Sequence, residues 1–300
     1  MKKKIFFNIL GFIFLLIFIS SIIFKFVPLT GAVIDVLESK RYVYLTPLIF
    51  LVLSFLMFSL AKKVSTHYYL QGAKEATGSA VIIDTYRGSS LISTVLGLGA
   101  EAIYPITNPK EARKKAKELS GHGYKVVLMG EKDQKTPKDF DFGNSLEDAL
   151  KYKDRFQGAM VVYVSTNAVA GIDLARKSGK AKEVLIGSPV NRKSLVHYLQ
   201  GTEEVSLVAM GEARQPGGKA EYSEEDMEYA HYLKELLDGK DPQYEPVRDK
   251  ILGGRIAKLA PKYNAEFDRD YALKLDQWNV VPRVEGDKII DALKGKKLGK

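Results

Sequence analysis

The fold turns on the stretch Val81-Ile82-Ile83-Asp84-Thr85-Tyr86-Arg87-Gly88-Ser89-Ser90. Three β-branched apolar residues in a row read as a buried strand. The strand ends on a carboxylate, and a short loop follows with a guanidinium, a glycine and two hydroxyls. Leu91-Ile92 and Val95-Leu96 then recur at helical spacing, so the loop opens a helix. An acid for a cation, an arginine for an anion and a helix N-terminus beside both are the parts a phosphate-handling site needs.

The same rhythm extends outward along the chain. Strands are predicted at 78–84, 101–106, 124–129, 159–164, 182–186 and 204–210. Helices are predicted at 90–98, 109–119, 146–155, 169–177, 192–199 and 224–237. Asn108 and Pro109 supply an N-cap and a first helical residue. The region after Arg248 is less regular, with helices near 251–259 and 266–275. Alternation of this kind predicts a three-layer α/β/α domain with a largely parallel or mixed sheet over residues 78–292. Residues 64–77 read as a linker, and 293–300 as a basic, disordered tail.

The formal charge of +9 is uneven: residues 1–63 carry +6 of it, leaving +3 on the remainder. The basic residues near the N-terminus flank two uncharged apolar runs, 5–24 and 42–61. Each run has the roughly 20 residues needed to cross a bilayer. Residues 1–63 are therefore predicted to form a transmembrane helical hairpin, in preference to a cleaved signal peptide. Lysines at 2–4 and 62–63 place both termini and the α/β domain in the cytoplasm by the positive-inside rule. A charge excess at the membrane argues against nucleic acid as a partner. The sequence has no cysteine, which excludes disulfides, thiolate catalysis and Cys-ligated zinc.

In open α/β sheets, ligands bind beyond the carboxyl ends of the strands. If these ends share one edge, they bring together Asp84, Arg87, Ser89, Ser90, Glu131, Asn144, Thr166, Asn167, Asn191, Glu225 and Asp226. Oxygen donors without a histidine cluster favour a hard cation such as Mg²⁺. The bland alternatives are specific. Asn144, Asn167 and Asn191 each precede a helix and fit N-caps, and Ser223-x-x-Asp226 fits a capping box. Asp84 could cap its own turn, but a carboxylate ending a buried strand is costly without a partner. The four histidines lack metal-ligand spacing. Tyr86 stands where a haloacid-dehalogenase phosphatase needs its second aspartate. Gly97-Leu98-Gly99 lacks the third glycine of a dinucleotide loop and reads as a helix C-cap.

Seven segments in order resemble the 2-phosphosulfolactate phosphatase family. Val81–Ser90 is similar to its Asp-Val-Leu-Arg-Ala-Ser/Thr-Ser/Thr signature, and Gly130-Glu131 to the start of its Gly-Glu-Arg segment. Phe140–Ser145 resembles Gly-Phe-Asp-Leu-Gly-Asn-Ser-Pro, Thr166-Asn167 resembles Thr-Thr-Asn-Gly-Thr, and Ile186–Asn191 resembles Ile-Gly-Ser-x-x-Asn. Tyr222–Asp226 and Asn279–Pro282 complete the series. The sequence departs from the family pattern at Leu91, Lys132-Asp133, Leu146 and Ala168-Val169.

The resemblance implies a Mg²⁺-dependent phosphatase converting (R)-2-phospho-3-sulfolactate to sulfolactate and phosphate, a step towards coenzyme M. It implies Asp84, Glu131, Glu225 and Asp226 as metal or water-activating groups. Catalytic roles would then fall to Asp84, Arg87 and Glu131. Substrate contacts would come from Arg87, Ser89, Ser90, Asn144, Thr166, Asn167 and Asn191. The expected function is a membrane-anchored Mg²⁺-dependent phosphatase of a small anionic acid, with a homo-oligomer left open. The alternative is an inactive relative serving as a membrane-tethered anion-binding or scaffold protein, motivated by the altered turn at 167–169.

Overall fold

The computed structural model describes residues 62–133, 135–211 and 222–294. The apolar runs at 5–24 and 42–61 and most of the 293–300 tail lie outside the described residues. Among the described residues, no helix is long and apolar enough to cross a membrane.

Residues 64–77, expected as a linker, instead carry strand β1 (Lys63–Tyr68) and helix α1 (Tyr69–Glu75). Pairing rather than hydrophobicity makes β1 a strand: it runs parallel to β7 (Glu204–Ala209) from Lys63↔Glu204 to Tyr68↔Ala209. The expected alternation follows. Strands β2 (Gly78–Ile83), β3 (Ala102–Ile106), β4 (Val126–Gly130), β5 (Met160–Val164) and β6 (Ala181–Ile186) precede β7. They alternate with helices α2 (Gly88–Gly97), α3 (Pro109–Gly121), α4 (Leu146–Lys151), α5 (Ala168–Ser178) and α6 (Arg192–Tyr198). Then come α7 (Glu224–Leu237), α8 (Glu245–Leu252), α9 (Arg255–Leu259), α10 (Glu266–Ala272) and a hairpin of β8 (Pro282–Glu285) and β9 (Lys288–Asp291). Asn108 does cap α3, accepting from Lys110 N at 2.8 Å. The cap of α4 is Ser145, which accepts from Asp148 N at 3.2 Å, so Asn144 is free of that duty.

The sheet order is β1-β7-β2-β6-β8-β9-β3-β5-β4. Two parallel blocks, β1-β7-β2-β6 and β3-β5-β4, are joined by the late hairpin. Each junction is antiparallel, through Leu185↔Arg283 and Ile103↔Ile289. A flat sheet paired this way would send the carboxyl ends of the two blocks to opposite edges. Neighbouring strands, however, twist by roughly 20–25° each. Five such steps separate β2 from β5, and twist of that kind turns the ends towards each other; the Arg87–Glu131 pair, 3.4 Å apart, joins the two blocks there.

Side-chain alternation builds the three layers. Ala80 and Ile82 of β2 share one core with Val161 and Tyr163 of β5 and with Leu91, Ile92 and Val95 of α2. Val81 and Ile83 face the other way, onto Met227, Ala230 and Leu233 of α7. Val162 and Val164 likewise pack on Ala112 and Leu119 of α3. Every residue of β2 is buried, as expected of a strand covered on both faces.

Candidate active site

The loop after β2 is fixed by its own polar side chains. Ser89 Oγ accepts from Asp84 N (2.8 Å) and donates to Ile82 O (3.2 Å), while Ser89 N donates to Asp84 O (2.7 Å). Ser90 Oγ donates to Thr85 O at 3.0 Å. Both hydroxyls are fully buried. The structure therefore gives Ser89 and Ser90 the task of shaping the loop, with their protons already committed to carbonyls.

That shape puts the Asp84 carboxylate at the meeting point of two helix N-termini. The backbone N–H groups of Gly88, at the start of α2, and of Ala168, at the start of α5, and the Asn167 side chain all act to favour its charged form. Gly88 is required by this close approach: a Cβ there would lie 2.6 Å from Ala168 Cβ and 2.9 Å from Asp84 Oδ2. Helix N-termini attract negative charge, and Arg87 adds its own. Burial outweighs both and pushes the Asp84 carboxyl up to about 7.

Two further acids stand beside it at the start of α7. Burial, followed by the charge of Asp84, pushes Glu225 up to about 7. Asp226 is raised well above the usual carboxylate range by burial and then by the charges of Glu225 and Asp84. Asp226 is also a brace. Its Oδ1 accepts from Thr85 N at 2.7 Å and its Oδ2 from Gly211 N at 2.9 Å. The capping box expected here does not form, because Ser223 makes no side-chain cap bond.

Arg87 reaches away from this trio to two other acids. Its Nη1 donates to Asp268 Oδ2 at 3.1 Å and its Nη2 to Glu131 Oε2 at 3.4 Å. Glu131 follows Gly130, whose φ of +116° turns the chain where a side chain would strike Val164 O. Glu131 N then donates to Val164 O at 2.9 Å, and its Oε1 accepts from Asn144 N at 3.3 Å. Asn144 Oδ1 accepts from the buried Tyr163 hydroxyl at 2.7 Å. Asp268, on α10, was not singled out in the sequence because nothing around it resembles a motif. It is 4 % exposed and also accepts from Glu147 N at 2.9 Å.

The remaining expected residues divide. Asn167 does not cap α5; its Nδ2 donates to Gly211 O at 2.7 Å, and its buried Oδ1 has no partner. Thr166 is exposed beside it. Asn191 is fully buried, accepts from Ser188 N and Ser188 Oγ, and donates to Ile186 O and Val280 O. The structure thus makes Asn191 the fastener of the turn after β6, with both ends of its amide occupied. The site brings together Asp84, Arg87, Glu131, Asn144, Asn167, Glu225 and Asp226, and adds Thr85, Tyr86 and Asp268.

A cleft of about 320 Å³ opens at Arg87, lined also by Tyr86, Glu131, Asp268 and residues of α9 and α10. Among the described residues, no three His, Cys, Asp or Glu side chains form a ready cage for a metal ion. The donor chemistry still suits Mg²⁺, which is usually held by one or two carboxylates together with water and substrate phosphate.

This geometry has relatives. A family model described as 2-phosphosulpholactate phosphatase matches residues 66–287. The chain belongs to that family. It is 34% identical over 164 residues to the probable 2-phosphosulfolactate phosphatase of Clostridium perfringens (strain SM101 / Type A), covering 54% of this chain and 62% of that protein. It is 35% identical over 134 residues to the protein of the same name from Thermotoga petrophila, covering 44% and 53%. A third such relative, from Carboxydothermus hydrogenoformans, is 30% identical over 236 residues, covering 73% and 92%. The chain thus spans less than two thirds of the length of the first two relatives. The family and these relatives are named for a phosphoric monoester hydrolase, and the mixed three-layer α/β domain carries the matched region.

Proposed function

We propose that the chain is a Mg²⁺-dependent phosphatase that hydrolyses the phosphate monoester of a small anionic acid. The observation that carries this reading is the buried Asp84 carboxylate, packed against the starts of α2 and α5 with Arg87 and Glu225 beside it. With no cation present burial raises the affinity of Asp84 for a proton, and a bound Mg²⁺ would displace that proton and hold the carboxyl ionised. Arg87 lines the cleft and supplies the guanidinium that orients a phosphate. Asp84 and Glu225 would hold Mg²⁺, which supplies charge neutralisation at the phosphoryl oxygens. Asp226 keeps the loop in register through Thr85 and Gly211. The relatives' names make 2-phosphosulfolactate the reference substrate.

The test is phosphate release by the full-length chain. Turnover of a phosphorylated acid with Mg²⁺, its loss on chelation and its loss in Asp84→Asn at an unchanged fold are the expected results. Turnover that survives Asp84→Asn would remove Asp84 from the chemistry. The second reading, an anion-binding relative without activity, is motivated by Ala168 in the altered turn. Against that motive, the start of α5 at Ala168 still favours the charged form of Asp84. Binding of the phosphorylated acid with no phosphate released would favour it.

Membrane anchoring through residues 5–24 and 42–61 is the other part of the proposal. It rests on the length of the two apolar runs and on the lysines flanking them. A cysteine introduced at Ala32 should react with an impermeant reagent in intact cells. Labelling only after lysis would overturn this topology.

A further inference from the structure

Arg87 is bound by two acids that differ in how firmly they are themselves held. Asp268 is the fixed one. Its side chain is 5 % exposed and both its oxygens are occupied. Oδ2 accepts from Arg87 Nη1 at 3.1 Å, while Oδ1 accepts from Glu147 N at 2.9 Å and from Ser145 Oγ at 3.4 Å. Ser145 also caps α4, so one carboxylate ties α10 and the start of α4 to the loop after β2. Glu131 is the loose one. Its side chain is 21 % exposed, its Oε2 lies 3.4 Å from Arg87 Nη2, and its Oε1 lies 3.3 Å from Asn144 N. Both contacts are long for charge-assisted hydrogen bonds, which usually close to roughly 2.7–2.9 Å.

This difference sets which bond gives way. Arg87 lines the cleft together with both acids, so an anion entering there competes for a guanidinium that already has two carboxylates. Breaking the Asp268 bond would strand a buried charge, which is strongly unfavourable. Breaking the Glu131 bond returns a partly exposed carboxylate to water, and such pairs contribute little. A guanidinium is planar and rigid, so pinning Nη1 fixes where Nη2 points. Without Asp268 the same group would be free to turn to Glu131 alone, and an anion would then have to break that pair without a second anchor for the arginine.

We infer that Asp268 is a positioning residue: it holds the Arg87 guanidinium in place, while Glu131 is the partner that an incoming phosphate group displaces from Nη2. The inference rests on the phosphatase reading and adds to it how Arg87 becomes available to the substrate. No covalent bond changes in this step. Arg87 Nη2 exchanges a carboxylate acceptor for a phosphate oxygen, and Nη1 keeps its bond to Asp268.

The test uses Asp268→Asn in the full-length chain. Asparagine can still accept from Glu147 N with its oxygen but turns an amide N–H₂ towards Arg87, so the tie to α4 is spared and the hold on the guanidinium is lost. Two quantities are measured in chelator. One is the Kd of inorganic phosphate by calorimetry. The other is the rate at which phenylglyoxal, an arginine reagent, modifies Arg87, followed by peptide mass spectrometry. Asp268→Asn should weaken phosphate binding about tenfold, the scale of one charge-assisted hydrogen bond, and should speed modification of Arg87 several-fold. Glu131→Gln should tighten phosphate binding by roughly threefold, because a partly exposed competitor is removed. A merely structural pair of acids would give no such opposite signs. Unchanged phosphate affinity or an unchanged Arg87 modification rate in Asp268→Asn overturns the positioning role, and weakened or unchanged phosphate binding in Glu131→Gln overturns the displacement. Asp268→Ser, whose hydroxyl also accepts a hydrogen bond, is the second variant if the first folds poorly, with the same expected results. If the parent itself binds no phosphate, the phosphatase reading loses its anion site, and the modification rates still decide whether Asp268 holds Arg87.

Discussion

Replacing Asp84 by asparagine should make the protein more stable than its parent at neutral and alkaline pH, and progressively less so as the pH falls. In the native protein burial holds the Asp84 carboxyl at about 7, against an ordinary value of 3.8. Because the folded value is the higher one, the folded state binds the proton more tightly than the unfolded state. The stabilisation this gives is complete below the unfolded value and is lost as the pH rises through the folded one. Each pH unit between the two is worth about 1.36 kcal/mol. From about pH 5 to about pH 7, the parent should therefore lose roughly 2–3 kcal/mol that Asp84→Asn does not lose. Glu225 and Asp226 steepen the difference, since the Asp84 charge is one cause of their own upward shifts. Asparagine has the same shape, and the loop is held by Ser89 and Ser90 rather than by the Asp84 carboxylate, so it has little reason to rearrange. Urea unfolding of both proteins in chelator, at several pH values across this window, reads the effect as a growing gap in ΔG. Added Mg²⁺ should shrink the gap by stabilising the parent, increasingly so as the carboxyls ionise. Parallel stability curves for the two proteins would refute the argument, because Asp84 would then hold the same proton folded and unfolded.

Gly88→Ala should cut phosphate release by about 100-fold, the cost of displacing a reacting group by an ångström, since the new Cβ meets Ala168 Cβ at 2.6 Å and Asp84 Oδ2 at 2.9 Å; unchanged kinetics would show that the carboxylate position is not critical. Arg87→Lys should lower kcat/KM at least about tenfold, because an ammonium cannot fork between Asp268 and Glu131 and still face the cleft; the melting temperature should move little, and full activity would leave Arg87 without a role in the reaction. Asn191→Ala should cost about 1–3 kcal/mol of stability by leaving the Ser188 N–H and two carbonyls unpaired, with kcat unchanged in the folded fraction; lost activity at an unchanged melting temperature would return Asn191 to the substrate.

The β2–α2 unit could be read in the sequence because period, breaker and helix onset agree there. Val81 to Ile83 is uniformly β-branched, and the polar residues of the following loop bond to one another. The same holds for α3, where Asn108 caps as expected. β1 gave no such sign. Val64 to Tyr68 is neither strongly apolar nor bounded by turn residues, and its strand state comes from pairing with β7. The reversal between the two parallel blocks was equally hidden, since each junction consists of one residue pair with the hairpin. At the site, the sequence marked residues within motifs and missed Asp268, which lies 181 positions from the arginine it binds. It also could not separate a serine that meets a substrate from one that ties a loop, because both roles ask for the same hydroxyl. Burial made that distinction at Ser89, Ser90 and Asn191.

The hairpin that joins the two blocks is synthesised after the seven other strands among the described residues. A growing chain can assemble each parallel block as it emerges, but β6 and β3 keep open edges until β8 and β9 arrive. Such edges invite pairing with other chains. The cleft walls have also been translated by then, yet the rotation that brings Asp84 and Glu131 to one place depends on strands still missing. Ribosomes stalled before residue 282 would therefore carry a nascent protein with its chemistry encoded but unassembled, and the last two strands act as the step that makes it competent.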